Sequence, residues 1–262
     1  MHETTTPSPK ALITGASTGI GFAYARHLAA KGYSLILVSQ DASRLESAAE
    51  TLGDAVLGSH AIDLSERAGV ERLIELTPVP EVIVANAGIT QHGHVGSIPQ
   101  LERDRLFYLL CGGAIDLLEA LVPAMLERRH GRVVIVSSIG ALTPMRKSAH
   151  YASAKAAIAR YGDSLAEEVS ESGVSVTVSL PGYVRTQAHE RAGLGHLNKQ
   201  IPNWMWLTPE HMVLETEQAS IRGQRQIIPG RVYRWVRPFL GSRLANQIWR
   251  RLSNRRAGTS NG

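Results

Sequence analysis

Tyr151-Ala152-Ser153-Ala154-Lys155 puts a phenol and an ammonium four residues apart, on one face if the segment is helical. A tyrosine near pKa 10 is a poor acid or base at neutral pH, but a cation within about 4–6 Å lowers it by roughly 1–3 units. Lys155 is therefore expected to make Tyr151 a working proton donor and acceptor. Thirteen residues earlier, Ser138 follows the run Arg132-Val133-Val134-Ile135-Val136-Ser137. A hydroxyl at the C-terminal edge of such a strand faces the crevice where open α/β sheets bind ligands. Seven tyrosines and five lysines scattered over 262 residues would give about 0.13 pairs at this spacing. The pair therefore stands above chance, and behind a strand-edge serine it points to proton transfer at an oxygen.

A second constellation lies near the start of the chain. Thr14-Gly15-Ala16-Ser17-Thr18-Gly19-Ile20-Gly21 follows the first apolar run and opens a helical one. Three glycines there allow a tight turn, a close approach to a pyrophosphate and close helix–strand packing, while free N–H groups at the helix start attract the anion. The spacing is G-x3-G-x-G, not G-x-G-x-x-G. A plain strand-to-helix connection has similar composition, but position in the first βα unit favours nucleotide binding. The same residues satisfy the G-x-S-x-G pattern of a serine hydrolase at Ser17. That elbow borrows an oxyanion N–H from a loop after an earlier strand, and only one strand precedes Ser17. No metal site is expected: His92-x-His94 lacks a third ligand with metal spacing, and Cys111 is the sole cysteine.

These residues must be held by elements, and short β-branched runs alternating with amphipathic stretches predict βα units in a single-domain α/β fold with a parallel sheet. Strands are expected at Lys10 to Thr14, Ser34 to Ser39, Ala55 to Ser59, Val82 to Ala85, Arg132 to Ser137, Val174 to Leu180 and Gln226 to Ile228, buried on both faces. Helical spacing runs through Ile20 to Lys31, Ser43 to Leu52, Ser65 to Leu76, Ile98 to Arg129 and Tyr151 to Ser172. Thr208-Pro209-Glu210 reads as a capped helix start, with the helix ending near Arg222. Residues 10–230 form the expected domain, flanked by disordered ends at 1–9 and 257–262 and a basic amphipathic extension at 231–256.

An apolar share of 44% suffices for a core and excludes disorder over most of the length. No run reaches the roughly 18 uninterrupted apolar residues of a spanning helix, and residues 1–7 have no secretory character, so a cytoplasmic protein is expected. Net charge is +5, but ten arginines and no acid follow Glu217, while 18 basic and 23 acidic residues lie up to it. A body of −5 thus carries a tail of +10, and nucleic-acid binding is not inferred from it. Arg231 to Arg256 either packs on the domain, which is preferred, or lies peripherally on an anionic inner-membrane surface with its arginines at the headgroups.

Together these motifs resemble the short-chain dehydrogenase/reductase family, in its branch of about 250 residues. The resemblance runs from Lys10 to about Thr186 through Thr14-Gly15, Gly19, Gly21, Asp63, Asn86-Ala87-Gly88, Ser138, Tyr151, Lys155, Pro181-Gly182 and Thr186. It implies a Rossmann-like, doubly wound sheet of about seven parallel strands with helices on both faces, and a homodimer or homotetramer. It implies hydride transfer between a nicotinamide cofactor and a small-molecule secondary alcohol or ketone.

Carried over, Ser138 would hold the substrate oxygen, Tyr151 would transfer the proton, and Lys155 would bind the nicotinamide ribose. Asp63 would meet the adenine with Leu64 beside it, Asn86 would sit by the adenosine ribose, and Thr186 would contact the carboxamide. Gly15, Ser17, Thr18, Gly19, Ile20, Gly21, Ala87, Gly88, Pro181, Gly182 and Val184 complete the expected cofactor site. Ser39 and Gln40 end the second strand without a carboxylate, and Arg44 follows nearby, so NADP(H) is favoured over NAD(H). Arg44 on a plain solvated helix face is the alternative. The family usually carries an Asn in N-x-x-G before the fifth strand; here Leu110 stands in its place, with Cys111 next to it. A cofactor-binding protein of low activity with a sensing or membrane-associated role is the corresponding alternative. Residues 183–207, including His189, His196, Trp204, Met205 and Trp206, are expected to form a lid over an apolar substrate. Leu142, Met145, His150, Tyr183, Trp204 and Trp206 are the candidate walls, though packing of the lid is the commoner fate of such side chains.

Overall fold

A computed structural model describes residues 8–186 and 201–239. The strands are β1 (Lys10–Thr14), β2 (Ser34–Ser39), β3 (Val56–Ala61), β4 (Val82–Ala85), β5 (Gly131–Val136), β6 (Val174–Ser179) and β7 (Gln226–Ile227). All pair in parallel in one sheet of order β3-β2-β1-β4-β5-β6-β7. The order reverses between β1 and β4, which opens a crevice at the C-terminal ends of those two strands. This is the doubly wound Rossmann-like architecture that the motifs imply.

The helices are α1 (Gly19–Ala29), α2 (Ala42–Leu52), α3 (Arg67–Leu76), α4 (Gln100–Phe107), α5 (Gly113–Glu127), α6 (Ala149–Glu168), α7 (Pro209–Ile221) and α8 (Arg231–Val236). Successive strand side chains point to opposite faces, so β1 feeds two cores. Leu12 packs with α3, α5 and α6 residues such as Leu73, Leu117 and Ile158; Ala11 and Ile13 pack with Tyr24 and Leu28 of α1 and Met212 of α7. Thr208 caps α7 by accepting from His211 N at 3.2 Å, with Pro209 in the first turn.

Two expectations need correction. β3 is not buried on both faces: it is the sheet edge, and its residues alternate between partly buried and exposed. The stretch expected as one helix from Ile98 to Arg129 is interrupted by a π-helical turn, Tyr108–Gly112, between α4 and α5. By length and composition Gln100–Glu127 is also apolar enough to cross a membrane, yet Leu117, Leu118, Leu121 and Met125 pack into the sheet core. Over its first turns the segment from Arg231 packs on the domain: Tyr233 of α8 is buried in a third cluster with Ala159, Val178, Leu180 and Ile228. Residues 240–256, and the lid residues His189 and His196, lie outside the described residues.

Candidate active site

Gly15 turns at φ +67°, a conformation that disfavours side chains, and a Cβ there would meet Asn86 Nδ2 at 2.9 Å and Ala87 Cα at 3.0 Å. At Gly21 a Cβ would lie 2.1 Å from Gly15 O. The turn is therefore a bare backbone cradle at the start of α1, built for close approach by an anionic group. Asn86 holds the cradle onto the end of β4. Its Nδ2 donates to Thr14 O (2.9 Å), and the N–H groups of Asn86 and Ala87 both donate to Thr14 Oγ1 (2.9 Å each). Asn86 thus has a bracing task at the place where a ribose contact is expected. Thr186 closes the far side, its Cγ2 3.0 Å from where a Gly19 Cβ would be. Thr18 is the residue before α1 and Ile20 lies within it. Gly88 faces Leu110 and Lys155: a Cβ there would be 2.8 Å from Leu110 Cδ2 and 3.8 Å from Lys155 Nζ.

Ser138 stands just beyond β5, and its Oγ accepts from Gly140 N at 3.0 Å. Its backbone is fixed on both sides: Ser137 N donates to Ser179 O (2.8 Å) and Ile139 N to Pro181 O (3.0 Å). Ser137 Oγ donates to Lys155 O at 2.7 Å, which sets the register of α6 against β5. That register brings Tyr151 beside Ser138, so the pair separated by thirteen residues meets: both side chains border the place of a Gly140 Cβ, at 3.5 and 3.3 Å. Burial pushes the Tyr151 phenol above its usual pKa, and the Ser138 hydrogen bond draws it partly back.

This differs from the expectation that Lys155 lowers the Tyr151 pKa. Lys155, 6% exposed, donates its Nζ to Val136 O at 2.8 Å. Burial depresses its own pKa to about 8, with Cys111 acting the other way. Burial in turn raises the Cys111 thiol, and Lys155 opposes that rise. Leu110 and Cys111 both lie in the π turn and are buried. Between Leu110 and Lys155, and bounded also by Thr14 and Val136, is an internal cavity of about 20 Å³, large enough for one water.

The opposite end of the crevice gathers β2 and β3. Ser17 and Ser39 hydroxyls are 2.8 Å apart, and Gln40 Nε2 donates to Asp63 Oδ2 at 3.1 Å. Asp63 also accepts from Ser65 N (2.9 Å) and from Arg105 Nη2 (2.6 Å), while Arg105 reaches Ser65 Oγ and Glu66. Burial favours the neutral acid, but the Ser65 and Arg105 contacts outweigh it and hold the Asp63 carboxyl below the usual range. Leu64 is buried against the α5 side of the core. Arg105 was not among the candidates, because its partners lie about forty residues away on another element. Arg44 pairs with Asp41 at 2.5 Å on the first turn of α2, yet its Nε–H is buried without a partner.

On the substrate side, Met145 and Leu142 lie near Ser138. A Cβ on Gly140 would be 2.6 Å from Met145 Sδ and 3.3 Å from Ser138 Oγ, and Leu142 packs on the third cluster. His150 is in the first turn of α6, its carbonyl accepting from Ser153 Oγ. Trp206 is not an open wall. Its Nε1 donates to Ile201 O at 3.3 Å, its ring centroid is 5.5 Å from that of Tyr183, and Arg185 covers it at 5.3 Å. Trp204 is 66% exposed. Val184 is buried and bridges Leu207, and Gly182 lies under the Tyr233 ring. His92 Nδ1 lies 3.2 Å from Ser148 Oγ.

Comparison with known proteins adds to this geometry. The family profile described as short chain dehydrogenase matches residues 9–195. The chain is 29% identical over 245 residues to the uncharacterized oxidoreductase YvaG of Bacillus subtilis, covering 91% of this chain and 90% of that protein. It is 31% identical over 180 residues to the 3-oxoacyl-(acyl-carrier-protein) reductase FabG of Escherichia coli, covering 67% and 73%. Among solved structures, a short-chain dehydrogenase from Sphingobium yanoikuyae in complex with NADPH is similar with a TM-score of 0.76 at 27% identity, covering 95% of this chain and 94% of that one.

Proposed function

The chain belongs to the short-chain dehydrogenase family and is an NAD(P)-dependent oxidoreductase of that type; from that premise we propose that it interconverts a secondary alcohol and a ketone, with Ser138, Tyr151 and Lys155 as its catalytic residues. The observation that carries this reading is the meeting of Ser138 and Tyr151 beyond the C-terminal edge of β5, where Ser138 Oγ and Tyr151 Cε1 lie 3.3 and 3.5 Å from the place of a Gly140 Cβ. The residues fit a dinucleotide: a side chain would not fit at Gly15 or Gly21, which leaves the backbone of the turn bare, with Thr186 beside Gly19 and Lys155 near Gly88.

When bound, the nicotinamide supplies or accepts the hydride. The chain handles the oxygen. Ser138 Oγ holds it by hydrogen bonding, and Tyr151, whose raised pKa keeps the phenol protonated at neutral pH, gives it a proton. The buried Lys155 ammonium adds positive potential beneath the site, where low dielectric makes charge effective. Apolar Leu142 and Met145 beside Ser138 support an apolar substrate. Replacing Tyr151 by Phe is expected to cut ketone-dependent NADPH oxidation by about 100-fold or more, with NADPH affinity by fluorescence titration held within threefold. Undiminished turnover would sink the assignment.

NADP(H) is the proposed preference. Ser17 and Ser39 present hydroxyls and no carboxylate, Arg44 has a buried N–H without a partner, and a relative at 27% identity carries NADPH. A 2′-phosphate would draw Arg44 from Asp41 and satisfy that donor. Arg44→Ala should reduce kcat/KM with NADPH about tenfold or more while leaving NADH within twofold; equal loss with both cofactors would count against it. A homo-oligomer is proposed as well, in keeping with the generally oligomeric habit of the family.

A further inference from the structure

α8 follows β7 and lies outside every motif of the cofactor site, yet it buries a tyrosine beneath two arms of the chain, residues 183–186 and 201–207. Tyr233 is 1% exposed, and its ring lies so close over Gly182 that a Cβ there would be 2.1 Å from Cζ. The Tyr233 hydroxyl meets both of these arms. It accepts from Tyr183 N at 3.0 Å on the outgoing arm and donates to Met205 O at 2.5 Å on the returning arm.

Backbone bonds join the same two arms just beyond: Leu207 N donates to Tyr183 O and Arg185 N to Leu207 O, both at 2.9 Å. Val184 and Leu207 form the bridge between them. α8 is itself fixed from below, because Glu215 of α7 accepts from Gly230 N and pairs with Arg234 at 2.7 Å. The cluster that holds the ring is also packed by Ala141 and Leu142, in the segment that leaves Ser138.

We propose that Tyr233 is a positioning residue for the substrate site, a clasp that sets the gap between Tyr183 and Met205 and thereby determines which carbonyl compounds reach Ser138 and Tyr151. The catalytic half of this inference rests on the oxidoreductase reading above; the clasp does not. The task suits a phenol. Leu or Phe could fill the space over Gly182, but neither could accept from one arm and donate to the other. Burial, the largest influence, pushes its pKa up to about 12, so the proton given to Met205 O stays in place throughout the working pH range.

Tyr233→Phe keeps the ring and removes the hydroxyl. In the full-length protein, amide hydrogen exchange at Tyr183, Arg185 and Leu207 is expected to quicken about tenfold or more, with α6 amides unchanged. For whichever ketones of a graded-size panel the wild type reduces, KM should rise about fivefold or more for the bulky ones, with kcat within twofold and NADPH affinity unaltered. Unchanged exchange at Tyr183, Arg185 and Leu207 overturns the clasp. Faster exchange with KM unchanged, or changed equally for large and small ketones, overturns its role in specificity. A wild type that reduces none of the panel would instead count against the oxidoreductase reading, and the exchange result would then judge the clasp by itself.

Discussion

A phenol that holds its proton at neutral pH serves as an acid before it serves as a base. Burial of Tyr151, only partly offset by Ser138, makes the proton donor the resting form, which suits carbonyl reduction more than alcohol oxidation near pH 7. Lys155 carries the opposite liability, because its charged form pays for burial. With an ordinary pKa of 10.5 when unfolded and about 8 when folded, it is protonated in both states below pH 8 and in the unfolded state alone between pH 8 and 10.5. The unfolded chain then binds more protons, so this group makes stability rise with pH across that window, by at most about 1.4 kcal/mol per pH unit. Urea unfolding at pH 7.5 and 9.5 should therefore show the wild type gaining about 2 kcal/mol relative to Lys155→Met, and no relative gain would mean that Lys155 is not held in the low-dielectric site.

The π turn at Tyr108–Gly112 places Leu110 against Gly88 and over the cavity beside Lys155. Nothing in the apolar spacing of residues 98–129 distinguishes five-residue from four-residue hydrogen bonding, so the interruption was hidden, although the substitution of Leu for the expected Asn was visible. Strands buried on both faces behaved differently. β1, β2 and β4 begin and end where expected, whereas edge strand β3 starts at Val56 and runs past the expected end at Ser59 through His60, which carries no hydrophobic signal, to Ala61. Local motifs such as the glycine turn and Tyr151-x3-Lys155 were legible because a single element places them. The Asp63–Arg105 pair and the Tyr233 clasp were not, since only the folded chain joins partners forty or fifty residues apart. If Leu110 limits the relay of protons past Lys155, Leu110→Asn should raise kcat about tenfold. Replacing a buried apolar side chain by an amide should also cost about 2–3 kcal/mol. Thermal unfolding and single-turnover kinetics on the same preparation would separate the two effects, and a stability loss without a rate gain would show that the chain works without an amide there.

At the scale of the whole molecule, charge divides at Phe239. Up to that residue the chain has as many acids as Lys plus Arg, and the net +5 belongs to Arg243, Arg250, Arg251, Arg255 and Arg256 beyond it. The packing reaches past Gly230, where the recognisable sheet ends, since Tyr233 fills the space over Gly182 and Arg234 pairs with Glu215. Two shortened chains separate these roles. Ending at Gly230 removes a buried aromatic worth about 3–5 kcal/mol, and its unfolding midpoint should fall by about 6–20 °C, at roughly 2–4 °C per kcal/mol. Ending at Phe239 leaves every described contact of Tyr233 in place, so a midpoint within about 3 °C of the full chain is the outcome expected if those contacts carry the stability of this end. Trp235 and Phe239 are 81% and 62% exposed at that end, but the five arginines that carry the excess charge onto an anionic surface are gone. Sedimentation with anionic vesicles at low and high salt should then show whatever binding the full chain has disappearing in the Phe239 chain, because screened Coulomb attraction needs the excess charge. Binding that persists in the shorter chain, or that ignores salt, would assign it to the exposed aromatic side chains instead of the basic tail.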